Sequence, residues 1–413
     1  MRKFNVNNFF PGVIFALLLF VMCLEGWTDI RILKTFFKHV DELLVLGCYA
    51  YLALHIHYIF QKKWKLLYLW IGFMLLGLVS SLIFRYQKII PAIMDAVVVI
   101  NKFMVGYLTA YVYGRLHKKN IAACMAGTAR MIAVAIFLIA VHDIILPPFF
   151  SKGDYRYFTH SLILMFPHQT YLAAAMVTLL ILLGYTNENN RNLPYMLMVS
   201  FVGVMTLRGK AIAFFAVYWM LYTWIFVLKS RQLAAMLVGG GIGAVFIGFE
   251  QITDYFLTTT RYSPRQIMFK DSITLAIDHF PLGTGFGSFG STIADQYYSP
   301  IYTKLGYNNN YGMGADDSMF LTDNFWPEII AQFGLIGLVI FISVVVCLLL
   351  YSIKTHKGNV YAGFAMLMVL VNMLINSMAE SSFFNPASFL LFIIFGLCEA
   401  DGCSGIHVLK GNK

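Results

Sequence analysis

Charge is what this sequence has least of. Only 12% of its 413 residues are Asp, Glu, Lys or Arg, about half the share found in a soluble globular domain. Cysteine is also sparse: the six, at positions 23, 48, 124, 347, 398 and 403, have neither metal-type nor disulfide-type spacing and do not report a redox compartment. No Walker A, H-E-x-x-H or G-x-S-x-G pattern is present, and no soluble nucleotide-binding domain can be placed. Gly285-Phe286-Gly287-Ser288-Phe289-Gly290 matches G-x-G-x-x-G, but no strand–helix context surrounds it, which excludes a dinucleotide site. Segments of alternating polarity about 10 residues long, the mark of a membrane β-barrel, are absent. The net charge of +10 reads as a membrane-orientation bias rather than a nucleic-acid surface.

Long apolar runs are what the chain has in abundance. Hydrophobic residues make up 59% of it and the mean hydropathy is +0.72. About 20 mostly apolar residues cross a bilayer core, and in lipid such a run must be a helix. The expected fold is therefore all-α: a polytopic membrane protein with about 12 transmembrane helices by that length rule and one large extracytoplasmic loop. The spans fall at 9–27, 40–60, 65–84, 89–114, 121–146, 161–184, 193–207, 210–228, 232–250, 327–353, 359–377 and 386–400. The first lacks a small-x-small cleavage site and reads as an uncleaved anchor. With both termini inside, fifteen Lys and Arg lie in cytoplasmic segments against nine in short outer loops, the direction the positive-inside rule requires. Three regions follow: N-terminal helices to residue 250, an extracytoplasmic cap at 251–326, and C-terminal helices with a cytoplasmic tail at 327–413.

Polar residues concentrate in two places. The 251–326 stretch carries Arg261, Arg265, Lys270, Asp271, Tyr298, Tyr307, Asp316, Asp317, Asp323 and Asn324. A connection of that length is usually functional or disordered. Its amphipathic spacing predicts an ordered cap with a short helix near 264–280. Tyr298, Tyr307 and Asn324 are candidates for sugar contact, while an interfacial tyrosine belt accounts equally for part of the aromatics. The second concentration, Thr206-Leu207-Arg208-Gly209-Lys210, breaks an apolar stretch at its outer end. It is either a turn whose cations meet outer head groups or a fixed anion site, since a guanidinium matches phosphate oxygens bidentately. Within the spans, Asp95, Lys102, Arg130 and Asp143 should face a polar interior. Asp95 and Lys102 share a helix face by spacing, and an ion pair of Asp95 with Arg130 competes with a substrate role. Gly239-Gly240-Gly241 favours close helix packing.

The stretch Ser263-Pro264-Arg265 through Pro281-Leu282-Gly283-Thr284-Gly285-Phe286-Gly287-Ser288-Phe289 resembles the signature of the O-antigen ligase and polymerase superfamily. In that family an arginine precedes a short helix that leads into a P-L-x-G-x-G-x-x-x-F turn. Phe166-Pro167-His168-Gln169, the Arg208 break, and Glu380 with Asn385-Pro386 fall where the family has similar features, so the resemblance covers roughly residues 160–400. Ligases of the family carry His-Asn eleven and ten residues before a glycine that opens the next helix. Counting back from Gly334 gives Asp323-Asn324, an aspartate in place of the ligase histidine, and the chain thus looks more like the Wzy-type O-antigen or capsular polysaccharide polymerases.

The resemblance implies a metal-independent, cofactor-free glycosyltransferase in the bacterial inner membrane, acting on undecaprenyl-pyrophosphate-linked glycans. It also leaves room for a chain-length regulator as a partner beside the membrane lipids. In physical terms, Arg208, Arg265 and Lys210 would stabilise the pyrophosphate leaving group. Asp323, or failing it Asp317, would take the proton of the acceptor hydroxyl. Asp323 as a plain N-cap of the following helix fits the sequence as well. A ligase of the same family is the nearest alternative. A lipid-linked oligosaccharide transporter is another, although the 251–326 loop has no counterpart in the first half, as an inverted repeat would require.

Overall fold

The computed structural model describes residues 6–23, 31–117, 121–146, 149–150, 153–157, 159–228 and 263–410. The expected span at 232–250, the triple glycine within it, and Arg261 lie outside the described residues. The fold is all-α: 76% of it is helix, and the only sheet among the described residues is a two-stranded hairpin, β1 (Tyr155–Arg156) with β2 (Thr159–His160).

The helices are α1 (Val6–Cys23), α2 (Arg31–Leu54), α3 (Ile56–Phe84), α4 (Ile89–Met94), α5 (Lys102–His117), α6 (Ile121–Ile145), α7 (Gln169–Tyr185), α8 (Leu193–Val204) and α9 (Gly209–Tyr222). After the undescribed stretch come α10 (Pro264–Asp278), α11 (Thr292–Gln296), α12 (Pro300–Lys304), α13 (Phe325–His356), α14 (Val360–Asn376) and α15 (Pro386–Lys410). Among the described residues four segments are long and apolar enough to cross a membrane, namely Lys63–Phe84, Cys124–Ile145, Gly209–Val227 and Phe325–His356. A fifth arises if the pair Ile89–Ile100 and Lys102–His117, bent by 45°, is one span. The other apolar helices are shorter. α7, with 17 residues, is about 25 Å long at 1.5 Å per residue, a little under a typical hydrocarbon thickness.

The molecule is dressed as a membrane protein. Leu75, Leu78, Leu82 and Ile83 on α3 and Val339, Ile342, Val346 and Leu350 on α13 are exposed. In each helix these residues recur at helical spacing, giving an outward apolar face. The interior is a second apolar layer. α5 is buried nearly all round, from Lys102 to Gly114, and packs along α15. From Leu172 onward α7 is likewise almost wholly buried.

Several sequence expectations are corrected. The 161–184 span begins only at Gln169, because His168 takes an extended conformation (φ −156°, ψ 150°) and caps α7. Asp95 does not meet Arg130. Arg130 donates from Nε to Asn192 Oδ1 (2.7 Å), while Asp95 Oδ2 accepts from the Gly287 N–H (2.7 Å). Lys102 pairs with Asp41. Asp95 and Lys102 thus reach different partners, and residues Asp95–Ile100 form a π helix that changes the angular step per residue. A second buried pair joins Lys63 to Glu399. The Tyr107 hydroxyl donates to that carboxylate (2.5 Å), and the Tyr351 ring lies 3.8 Å from Lys63 Nζ. Buried charges persist only when paired in this way.

Residues 263–324 build a cap with its own core, in which Met268, Leu275, Phe289, Tyr302, Tyr307 and Met313 are buried together. The glycine turn fastens it to the helices. Thr284 and Gly285 donate to the carbonyls of Ala331 (2.8 Å) and Gln332 (2.9 Å), at the break in α13 where Gly334 has φ +67°. Phe286 N–H donates to Ser81 Oγ on α3 (2.8 Å). Gly285 and Gly287 adopt φ of +91° and +63°, open to glycine without strain. The G-x-G-x-x-G pattern is therefore a structural clamp whose backbone donors are spent on the protein itself.

Candidate functional site

The break at Thr206–Lys210 sits where α8 ends and α9 begins. Leu207 takes φ +52° and Arg208 is the extended N-cap of α9, so the turn directs its two cations to the helix start. There α7, α9 and α14 line a small, open cleft. Ala173, Ala174, Val177 and Ala211 form its apolar wall, and Arg208, Lys210, Asn372, Asn376 and Glu380 supply the polar groups.

The cations are held, not dangling. An Arg208 guanidinium nitrogen lies 2.6 Å from His168 Nε2. Arginine has only donors, so that imidazole nitrogen accepts, while Nδ1 faces Thr170, 3.0 Å from its Oγ1 and 3.3 Å from its backbone nitrogen. His168 is thus neutral. Burial first, and then the Arg208 charge, lower its basicity below that of an ordinary histidine. Lys210 pairs with Glu380 at 2.8 Å, and Arg265, one residue into α10, pairs with Asp323 at 2.8 Å.

The two ion pairs belong to one electrostatic neighbourhood. Burial is the largest influence on the Asp323 carboxyl and raises it. Arg265 and then Lys210 offset that in part, and Glu380 adds to it. His168 likewise feels Arg208, Asp154, Lys210 and Arg156. Lys210 thus acts on both His168 and Asp323, and joins the Arg208–His168 contact to the Arg265–Asp323 pair. Such a patch, opening on an apolar slot, can hold a phosphate-bearing group whose remainder is apolar. A half-buried carboxylate stands beside it.

The other sequence candidates separate. Tyr307 is fully buried. It donates its hydroxyl to Asp271 (2.8 Å) and stacks on Tyr302 at 5.4 Å, so it is cap core and offers no face to a sugar. Asn324 is also buried, with its amide against Met268 Sδ (3.7 Å). It is Asn324, not Asp323, that occupies the N-cap of α13, so the capping alternative for Asp323 is removed. Asp317 is exposed and accepts the Gly312 N–H (3.2 Å), closing a loop away from the ion pairs. Tyr298 is half-buried and donates to the Met313 carbonyl (3.0 Å).

Sequence reasoning missed His168, Asn372 and Asn376 as site residues. His168 had a signal, a polar residue after Phe166-Pro167 at a helix start. Asn372 and Asn376 lie one helical turn apart inside an apolar helix, a spacing that puts both on one face. Among the described residues no group of three or more His, Cys, Asp or Glu is arranged to hold a metal ion. No protein-family model matches the chain, and no curated protein matches it in sequence.

Proposed function

We propose that the chain is a polysaccharide polymerase that joins lipid-pyrophosphate-linked repeat units of O-antigen or capsule on the outer face of the bacterial plasma membrane. The observation that carries the reading is that Arg208 and Lys210 line a cleft with an apolar wall, while the Arg265–Asp323 pair lies close enough for Lys210 and Glu380 to act on the Asp323 carboxyl. In the proposed reaction an acceptor hydroxyl oxygen attacks the anomeric carbon of the donor's lipid-proximal sugar. The bond from that carbon to the pyrophosphate oxygen breaks, and the lipid pyrophosphate leaves with the electron pair. Arg208 and Lys210 bind the departing anion, whose charge grows toward the transition state, where fixed donors act most strongly. Asp323 takes the hydroxyl proton, and Arg265 holds its carboxylate in position. In this reading both termini lie inside the cell, about 12 helices cross the bilayer, and the cap at 263–324 faces outward. Tyr298 remains a sugar-contact candidate.

Deleting the gene and resolving surface glycan on a gel tests the reading. A polymerase mutant shows single repeats attached to their carrier. Complete loss of attached glycan would point to the ligase alternative, and loss with undelivered intermediates to a transporter. Complementation with Arg208→Lys keeps the charge but loses the fork that reaches both His168 and a phosphate. Polymer synthesis should fall about 100-fold, the scale of one lost transition-state donor, with protein abundance unchanged.

A further inference from the structure

Helix α10 has an edge that the cap's own core leaves bare. Its Met268, Ser272, Leu275 and Ala276 point inward, whereas Ile277 and Phe280 are 61% and 65% exposed. Ile273 is exposed one turn before Ile277, so those two share a face, and Phe280 follows just past the helix end. The end of this stripe is pinned to a known level of the helix bundle. His279 lies edge-on to Phe84 at 4.6 Å, and its Nε2 is 2.8 Å from the Tyr86 hydroxyl. Phe84 is the last residue of α3, whose Leu82 and Ile83 are exposed, and α4 opens with exposed Ile89 and Ile90. Between them stand Arg85 and Lys88, both exposed. Single exposed apolar residues are ordinary. Exposed apolar residues gathered on two elements that touch mark an interaction surface. Cations at its upper border are the residues that phosphate head groups meet.

We propose that α10 lies at the lipid–water boundary and inserts its Ile273–Ile277–Phe280 edge among the acyl chains of the leaflet, beside head groups bound by Arg85 and Lys88. The inference rests on the reading of α3 as a membrane span. Its occupant is lipid because the stripe ends beside His279, which packs on Phe84 at the end of α3, and the outward apolar face of α3 is the one lipid covers. A consequence is that the helix carrying Arg265 at its start is anchored in lipid at its end.

The test places the photocrosslinker benzoylphenylalanine at Ile277 in the full chain, reconstituted in nanodiscs of phosphatidylethanolamine and phosphatidylglycerol. The same residue at Leu75, on the outward face of α3, and at Tyr311, 69% exposed on the cap, gives a membrane and an aqueous reference. After illumination, mass spectrometry should find lipid adducts at 75 and 277 and none at 311. Adducts at 75 but not at 277 overturn the inference and leave the membrane reading of α3 intact. Absence of adducts at 75 overturns that reading and the inference with it. A crosslink from 277 to a second copy of the chain, or adducts at all three sites, also overturns the inference.

Discussion

Asp323 stands one residue before the N-cap of α13, in an ion pair with Arg265. That placement sharpens what a substitution there reports. Asp323→Asn removes no cap. The pair it breaks is partly exposed, at 21% for the arginine and 31% for the aspartate side chain, so its loss should cost less than about 1 kcal/mol of stability. Abundance should hold while polymer synthesis disappears, because an amide cannot take the hydroxyl proton. The pH dependence has a defined sign. A base must be ionised, and burial raises this carboxyl despite Arg265, so activity should fall on the acid side at a pH above the ordinary carboxylate range. A rate profile whose acid limb lies at or below that range would remove Asp323 from the role. At this scale the sequence displayed the cations but not their partners. Arg208 and Lys210 stand out because charge at an apolar break is expensive. Nothing in the linear chain says that Lys210 faces Glu380 or that Tyr307 turns inward, since both depend on how distant segments pack.

At the scale of elements, the apolar runs located most helices, and the cap helix expected near 264–280 is α10, Pro264–Asp278. The breaks were not legible. The interruption at His55, the π turn at Asp95–Ile100 and the late start of α7 leave the local hydropathy unchanged. Two of them coincide with tertiary contacts: Asp95 accepts the Gly287 N–H, and His168 meets Arg208. The clamp between the glycine turn and α13 makes a prediction of its own. A Cβ at Gly285 would stand 2.7 Å from the Ser81 backbone, at a φ of +91°. Gly285→Ala should therefore destabilise by about 1–3 kcal/mol from backbone strain alone and more from the clash. Gly72→Ala, where nothing lies within 4 Å, should be neutral or stabilising by up to about 1 kcal/mol. Thermal unfolding in detergent distinguishes the two, and equal melting temperatures would mean that the turn is not a clamp.

For the whole molecule, the outward apolar faces of α3 and α13 and the doubly packed interior describe a chain built for lipid. Beyond its break at Gly334, α13 runs from Leu335 to His356, roughly 33 Å at 1.5 Å per residue, about the thickness of a hydrocarbon core. Cysteines replacing Tyr298 in the cap and Lys357 just past α13 should therefore label from opposite sides of the membrane, the first from outside. Labelling of position 298 only after permeabilisation would place the cap, and the cleft beneath it, in the cytoplasm.

The central claim, that this cleft transfers glycan from a lipid pyrophosphate, is tested most directly by reconstitution. Single-repeat lipid-linked glycan, purified from the deletion strain, is added to proteoliposomes of the purified chain with chelator and without nucleotide sugar, and the products are resolved by length. The wild-type chain should give a ladder of polymer with release of lipid pyrophosphate, and the Asp323→Asn variant none. Unchanged single repeats, or a ladder that forms only when a nucleotide sugar is supplied, would contradict it.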